Sequence, residues 1–180
     1  MNSNRIQPNG FLGSFENTHR TTLIEIEQLE ETLNHLRFEG KASIGRNLNQ
    51  IRSSLDFFQS DLLKHMELEE QVLFPFVGSH IPKLESVIHL LVSEHDDFRR
   101  NFEDLRLFLN SVANEMSELD RSKMVQKIQE TATYLVYLIK NHVRVESKSV
   151  YEVVNEELKP DEKRDLEETV AKFESKVERE

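Results

Sequence analysis

The stretch KHMELEEQVLFPF, residues 64–76, sets His65 and Glu69 four positions apart. On an α-helix, positions i and i+4 stand on one face. That face is the apolar one, because the residues at helical spacing on either side read Ile44, Leu48, Ile51, Leu55, Phe58, Leu62, then Val72 and Phe76. A second stretch, NHVRVESKSVY at 141–151, repeats the pattern with His142 and Glu146. Its stripe runs Val125, Ile128, Ala132, Leu135, Ile139, His142, Glu146, Ser149, Val153. Imidazoles and carboxylates on a buried stripe cost several kcal/mol each unless something compensates them.

Two further stripes lie between and before these. One is Leu12, Phe15, His19, Thr22, Ile26, Leu29, Leu33, Leu36; the other is Ile81, Leu84, Ile88, Leu91, His95, Phe98, Phe102, Leu105, Leu109, Val112. Each alternates gaps of three and four, the spacing of a bundle-facing seam. Gly40 is expected to break the first helix, Gly78-Ser79-His80 to form a turn, and Asn114 to Asp120 to separate the third helix from the fourth, with Asp120 as N-cap. Pro75 is expected to kink or end the second helix. Pro82 suits the first turn of the third helix, and Pro160 should stop the fourth. The predicted fold is all-α: an antiparallel up-down-up-down four-helix bundle over residues 11–157. A flexible segment, 1–10, precedes it. A short amphipathic C-terminal helix, 158–180, follows, with Leu166, Val170, Phe173 and Val177 on its apolar side.

Composition agrees with this and narrows the function. Five glycines and four prolines in 180 residues supply few turns. A net charge of −10 argues against nucleic acid or an anionic membrane as partner. With no cysteine, disulfides, thiolate metal sites and cysteine nucleophiles are excluded. The start MNSNRIQPNG has no apolar signal-peptide core, and no apolar run approaches a membrane span. A cytoplasmic location is expected. No nucleophile–base pair and no phosphate-cradling glycine loop is present, which argues against a hydrolase or kinase.

His19, His65, Glu69, His95, His142 and Glu146 also fall at similar heights. Counted from the expected turns at about 1.5 Å per residue, they differ by about one helical turn or less. Four imidazoles and two carboxylates exceed the needs of one tetrahedral zinc. Divided between two ions, each takes two imidazoles while the carboxylates bridge. Nitrogen and oxygen donors without sulfur suit iron, with manganese or zinc as substitutes. A ferritin-like centre would need Glu-x-x-His on two helices; only Glu16 and His19 have that spacing.

With these residues the chain resembles the hemerythrin-like, HHE cation-binding family. KHMELEEQVLFPF is similar to the family's second-helix segment, SEHDDFRR (residues 93–100) to the third and NHVRVESKSVY to the fourth. The resemblance implies a non-haem di-iron centre, oxo- or hydroxo-bridged in that family, with His19, His65, His95 and His142 as terminal ligands and Glu69 and Glu146 as bridges. It implies binding of, or reaction with, a small diatomic ligand (O2 or NO) or peroxide. Arg99 stands where oxygen-carrying members place a second third-helix histidine, and Glu146 replaces an aspartate expected one residue later. The set of four histidines and two glutamates is closer to the branch that includes iron–sulfur cluster repair proteins, although these 180 residues contain none of the cysteines of the N-terminal module that often accompanies that branch.

The plainer readings are these. A single seam histidine is commonly a hydrogen-bonded core residue, and a buried His–Glu pair at i, i+4 can be an ion pair. His35, His80 and His89 lie off the seams and read as surface, as do Glu16, Glu67 and Glu70. Leu62, Val72, Leu91, Phe98 and Ile139 form core and, beside a metal, an apolar wall; Tyr134 and Tyr137 only pack. Three functions follow: a di-iron protein for sensing, detoxification or iron supply in oxidative or nitrosative stress; an iron-responsive regulatory or interaction module whose folding depends on metal; or a metal-free structural bundle.

Overall fold

The structure, a computed structural model, describes residues 12–112 and 116–177. The expected flexible segment 1–10, the middle of the polar stretch after the third helix, and the side chain of Val177 lie outside the described residues. Five helices make up the fold, with no strand among the described residues. Helix α1 is Gly13–Phe38. Helix α2 runs through residues 40–80 as Gly40–Phe57, Leu63–Leu68 and Phe74–His80, joined by π turns at Phe58–Leu62 and Glu69–Leu73. A 3₁₀ turn, Pro82–Leu84, leads into α3, Glu85–Ser111. Helix α4 comprises Glu118–Glu146, a π turn at Ser147–Tyr151, and Glu152–Glu157; α5 is Pro160–Val177.

The first four helices form a ring in chain order, α1 against α2 and α4, and α3 against α2 and α4. Side-chain pairs fix their directions. Glu25 meets Ser54 while His19 meets His65, so α1 and α2 are antiparallel. Glu30 meets Lys140 while His19 meets Ser147, and the same holds for α1 and α4. Arg52 reaches Leu109 while Glu70 reaches His95, which makes α2 and α3 antiparallel. The expected up-down-up-down bundle is the observed one.

Local signals differ from expectation at four places. Only Glu39 separates α1 from α2, and Gly40 opens the second helix rather than extending a break. Helix α2 continues past Pro75. The proline sits in the first turn after the π turn Glu69–Leu73, where the widened backbone is already out of α register, so its missing N–H and bulky ring do not end the helix. Likewise α2 extends through Gly78-Ser79-His80, and the reversal falls at Ile81. The N-cap of α4 is Ser117 rather than Asp120: its hydroxyl accepts from the Asp120 backbone N–H at 3.1 Å.

Apolar packing divides into two clusters. One contains Ile26, Ile51, Phe58, Leu62, Phe98, Phe102 and Ile139; the other contains Phe15, Leu68, Leu73, Leu91, Val150, Val154 and Leu166. The second includes Leu166 of α5, which is how the C-terminal helix docks. Between the two clusters lies a polar layer. No helix among the described residues is long and apolar enough to cross a membrane.

Candidate metal centre

That layer holds all six residues singled out from the sequence. His19, His65, Glu69, His95, His142 and Glu146 are buried, none more than 6% exposed. Nε2 of His65 is 2.9 Å from Oε1 of Glu69, and Nε2 of His95 is 3.5 Å from that carboxylate's other oxygen. Glu146 Oε2 lies 3.1 Å from Nε2 of His19 and 3.5 Å from Nε2 of His142. Each carboxylate thus stands between a histidine of its own helix and one of an adjacent helix. The imidazoles fall into two pairs, His19 with His65 (ring centroids 4.9 Å apart) and His95 with His142 (4.7 Å). One donor atom from each of His19, His65, Glu69 and Glu146 lies within 4.8 Å of the others, and so it does for Glu69, His95 and His142. Glu69 belongs to both groups.

The imidazoles are held from behind. His95 Nδ1 donates to Oε1 of Glu70 at 2.7 Å, and His142 Nδ1 donates to Oε2 of Glu94 at 2.9 Å. His19 Nδ1 is 3.3 Å from the Ser147 hydroxyl. A carboxylate only accepts, so the hydrogens of His95 and His142 are on Nδ1 and, in neutral rings, the Nε2 lone pairs are free. Yet those two Nε2 atoms face each other at 3.1 Å. Two lone pairs at that distance repel, and a cation or a shared proton between them removes the conflict. Nε2 of His65, Oε2 of Glu69 and both oxygens of Glu146 are buried with no aligned hydrogen-bond partner. Unmet donors and acceptors of this number in one place call for a charge-bearing guest. The donor set is nitrogen and oxygen, and its backing by carboxylates is the arrangement that fixes ring orientation around a metal.

Without a cation the cluster holds protons instead. Burial lowers the affinity of His142 for a proton, but the nearby carboxylates of Glu146 and Glu94 outweigh it and raise its pKa to about 10. His65 is raised in the same way, burial being outweighed by Glu69. Burial would raise Glu146, yet His142 and His19 beside it pull it well below the ordinary carboxylate value.

The local backbone explains the aim of these groups. Glu69 opens the π turn Glu69–Leu73 and Glu146 immediately precedes the π turn Ser147–Tyr151. A π turn inserts one residue into the helical count. Beyond Glu146 the buried positions are therefore Val150 and Val154, and the expected seam residues Ser149 and Val153 are only half-buried. The same insertion carries Tyr151 into the site. Its hydroxyl donates to Oε1 of Glu69 at 2.6 Å and lies 3.3 Å from Nε2 of His19, on whose ring it stacks. Burial first, then Glu146 and Glu69, hold the phenol well above its ordinary pKa.

A family model of the hemerythrin HHE cation binding domain matches residues 12–154. The chain belongs to this hemerythrin family. No curated protein and no solved structure matches it. Among the family-like residues, Arg99 does not enter the centre but pairs with Glu70 at 2.8 Å.

Sequence reasoning treated Glu70 as solvated, and this is corrected: it backs His95, and contacts with His95 and Arg99 outweigh burial to lower its pKa. Glu94, Ser147 and Tyr151 were not anticipated. Glu70 and Glu94 each adjoin a donor in sequence, and Tyr151 follows Glu146 by five, the i+5 of a π turn. Glu16, Glu67, His35, His80 and His89 are exposed as expected, and Leu62, Val72, Leu91, Phe98 and Ile139 are buried around the layer.

Proposed function

We propose that this hemerythrin-domain chain holds two iron ions through His19, His65, Glu69, His95, His142 and Glu146, and uses them to bind or react with O2, NO or peroxide. The observation that carries this is the 3.1 Å approach of the His95 and His142 Nε2 atoms, whose Nδ1 atoms are committed to Glu70 and Glu94. His19 and His65 serve one ion, His95 and His142 the other, and Glu69 and Glu146 link the two. Bound iron would supply the electrons and the binding of the small ligand; manganese or zinc would fill the same donors without the same redox chemistry. The protein's part is to orient and dry the centre. Glu70, Glu94 and Ser147 fix three rings, and Phe74 stacks on His95. A cleft of about 520 Å3, lined by His19, Leu23, Val143, Ser147 and Tyr151 among others, offers a small ligand an approach from solvent.

The test is metal content and an optical spectrum of protein expressed with iron, under air and under NO. Two irons per chain and a spectrum that changes with either gas support the reading; a chain that takes up no metal overturns it.

A second reading, an iron-responsive module, rests on the unpartnered Glu69, Glu146 and His65 atoms in the bundle's middle. Left without a cation, they weaken the layer joining the two apolar clusters, so metal binding would be coupled to folding. Melting the chelator-treated and iron-loaded forms separates the two readings, since a module of this kind loses much of its helix on chelation.

A further inference from the structure

We propose that Tyr151 is a fifth protein ligand, as phenolate, on the ion held by His19 and His65; this rests on the di-iron reading above. Its hydroxyl oxygen stands 2.6 Å from Oε1 of Glu69 and 3.3 Å from Nε2 of His19. Two ligands at right angles on an ion with bonds of about 2.1 Å lie about 3 Å apart. The other close donor contacts of this half, 2.9 Å for His65 with Glu69 and 3.1 Å for His19 with Glu146, have the same spacing. Tyr151 therefore occupies a neighbouring coordination vertex rather than a place behind the ligands, where Glu70, Glu94 and Ser147 sit.

The ring is placed for this. It lies nearly parallel to His19, 15° between planes at 5.0 Å, and its hydroxyl oxygen comes within 3.3 Å of that ring's Nε2. Phe15 meets it edge-on at 6.1 Å. The ring is buried, and its hydroxyl turns to Glu69. Tyrosine oxygen is an established donor to iron. On binding, the phenolic hydrogen leaves to water and Oη bonds the ion, with no change in electron count. The half with Tyr151 then has five protein donors, while the half with Glu69, His95 and His142 has fewer.

The experiment uses the full chain loaded with ferrous iron and then aerated, compared with Tyr151→Phe, by absorption and by resonance Raman excited in the visible band. The expected result is a phenolate-to-ferric charge-transfer band with phenolate ring modes in the wild type. Tyr151→Phe should lose both while keeping two irons. Identical spectra at equal iron content overturn the proposal, leaving Tyr151 a hydrogen-bonded phenol and the di-iron reading intact. Should the variant not fold, wild-type protein carrying ring-deuterated tyrosine decides: isotope-shifted modes in the charge-transfer-enhanced spectrum support it, and unshifted ones overturn it. Absence of bound iron in the wild type overturns both this inference and the function it rests on.

Discussion

Glu70 grips His95 from behind, Oε1 to Nδ1 at 2.7 Å, while its chain neighbour Glu69 faces the same ring's Nε2 at 3.5 Å. Two consecutive residues of α2 thus bracket one imidazole of α3. Arg99 completes the arrangement by holding Glu70 at 2.8 Å. Glu69→Ala removes an atom group shared by both halves of the centre and should lose at least one iron. Glu70→Gln leaves every donor in place but exchanges a charged acceptor for an amide. Loss of such a backing carboxylate costs about 10–100-fold in metal affinity. A competition titration with a coloured chelator reads both. Equal affinity of Glu70→Gln and wild type would sink the orienting role, and normal iron content in Glu69→Ala would sink the ligand assignment.

The metal-free protein should have a pH signature of its own. His142 rises from 6.5 to about 10 in the folded chain, so the folded state favours its protonated form. That contribution is fully present below about pH 6.5 and is lost as pH climbs through about 10. Glu146 is depressed from 4.5, so its contribution is present above about 4.5 and is lost as acid reaches its lowered value. Chelator-treated protein should therefore melt highest between about pH 4.5 and 6.5, and its melting temperature should fall toward pH 10. A melting temperature that climbs between pH 7 and 10 contradicts this. Because an ion must displace the same protons, iron uptake at pH 7 should release hydrogen ions into a weakly buffered solution.

The stripes of α1 and α3 were readable residue by residue, because an unbroken α-helix keeps its buried face at a fixed period. His19 and His95 fall where that period places them. So do His65 with Glu69 and His142 with Glu146, each within a single α turn. What period alone could not give begins at the π turn Ser147–Tyr151, where one added residue moves the buried positions to Val150 and Val154. Tyr151 was invisible for that reason. Glu70 and Glu94 were missed for another: their partners are on neighbouring helices, and no helix's own spacing records a contact across the bundle. The shifted seam is testable. Val154→Ala, at a fully buried site, should cost about 1–3 kcal/mol. Val153→Ala, half-buried on the face that unbroken α spacing would choose, should cost clearly less. Denaturant midpoints in the opposite order would place the seam back in α register.

Helix α5 packs on the π turn that carries Glu69, and Leu166, 1% exposed, anchors it in the same apolar cluster as Leu68 and Val72. A cavity of about 450 Å3 beside His65 has Phe173 and Glu174 of α5 in its wall. The helix therefore restricts one side of the centre as well as covering an apolar end. Leu166→Ala removes about 2–5 kcal/mol of packing, more than enough to raise the fraction of molecules in which α5 is detached. All the proposed ligands, Tyr151 included, remain. Iron content should stay at the wild-type value, while a small hydrophilic chelator should strip the iron several-fold faster, followed by stopped-flow absorbance. An unchanged stripping rate would mean that solvent reaches the ions from the His19 side, through the cleft between α1 and α4, and that α5 only covers apolar surface.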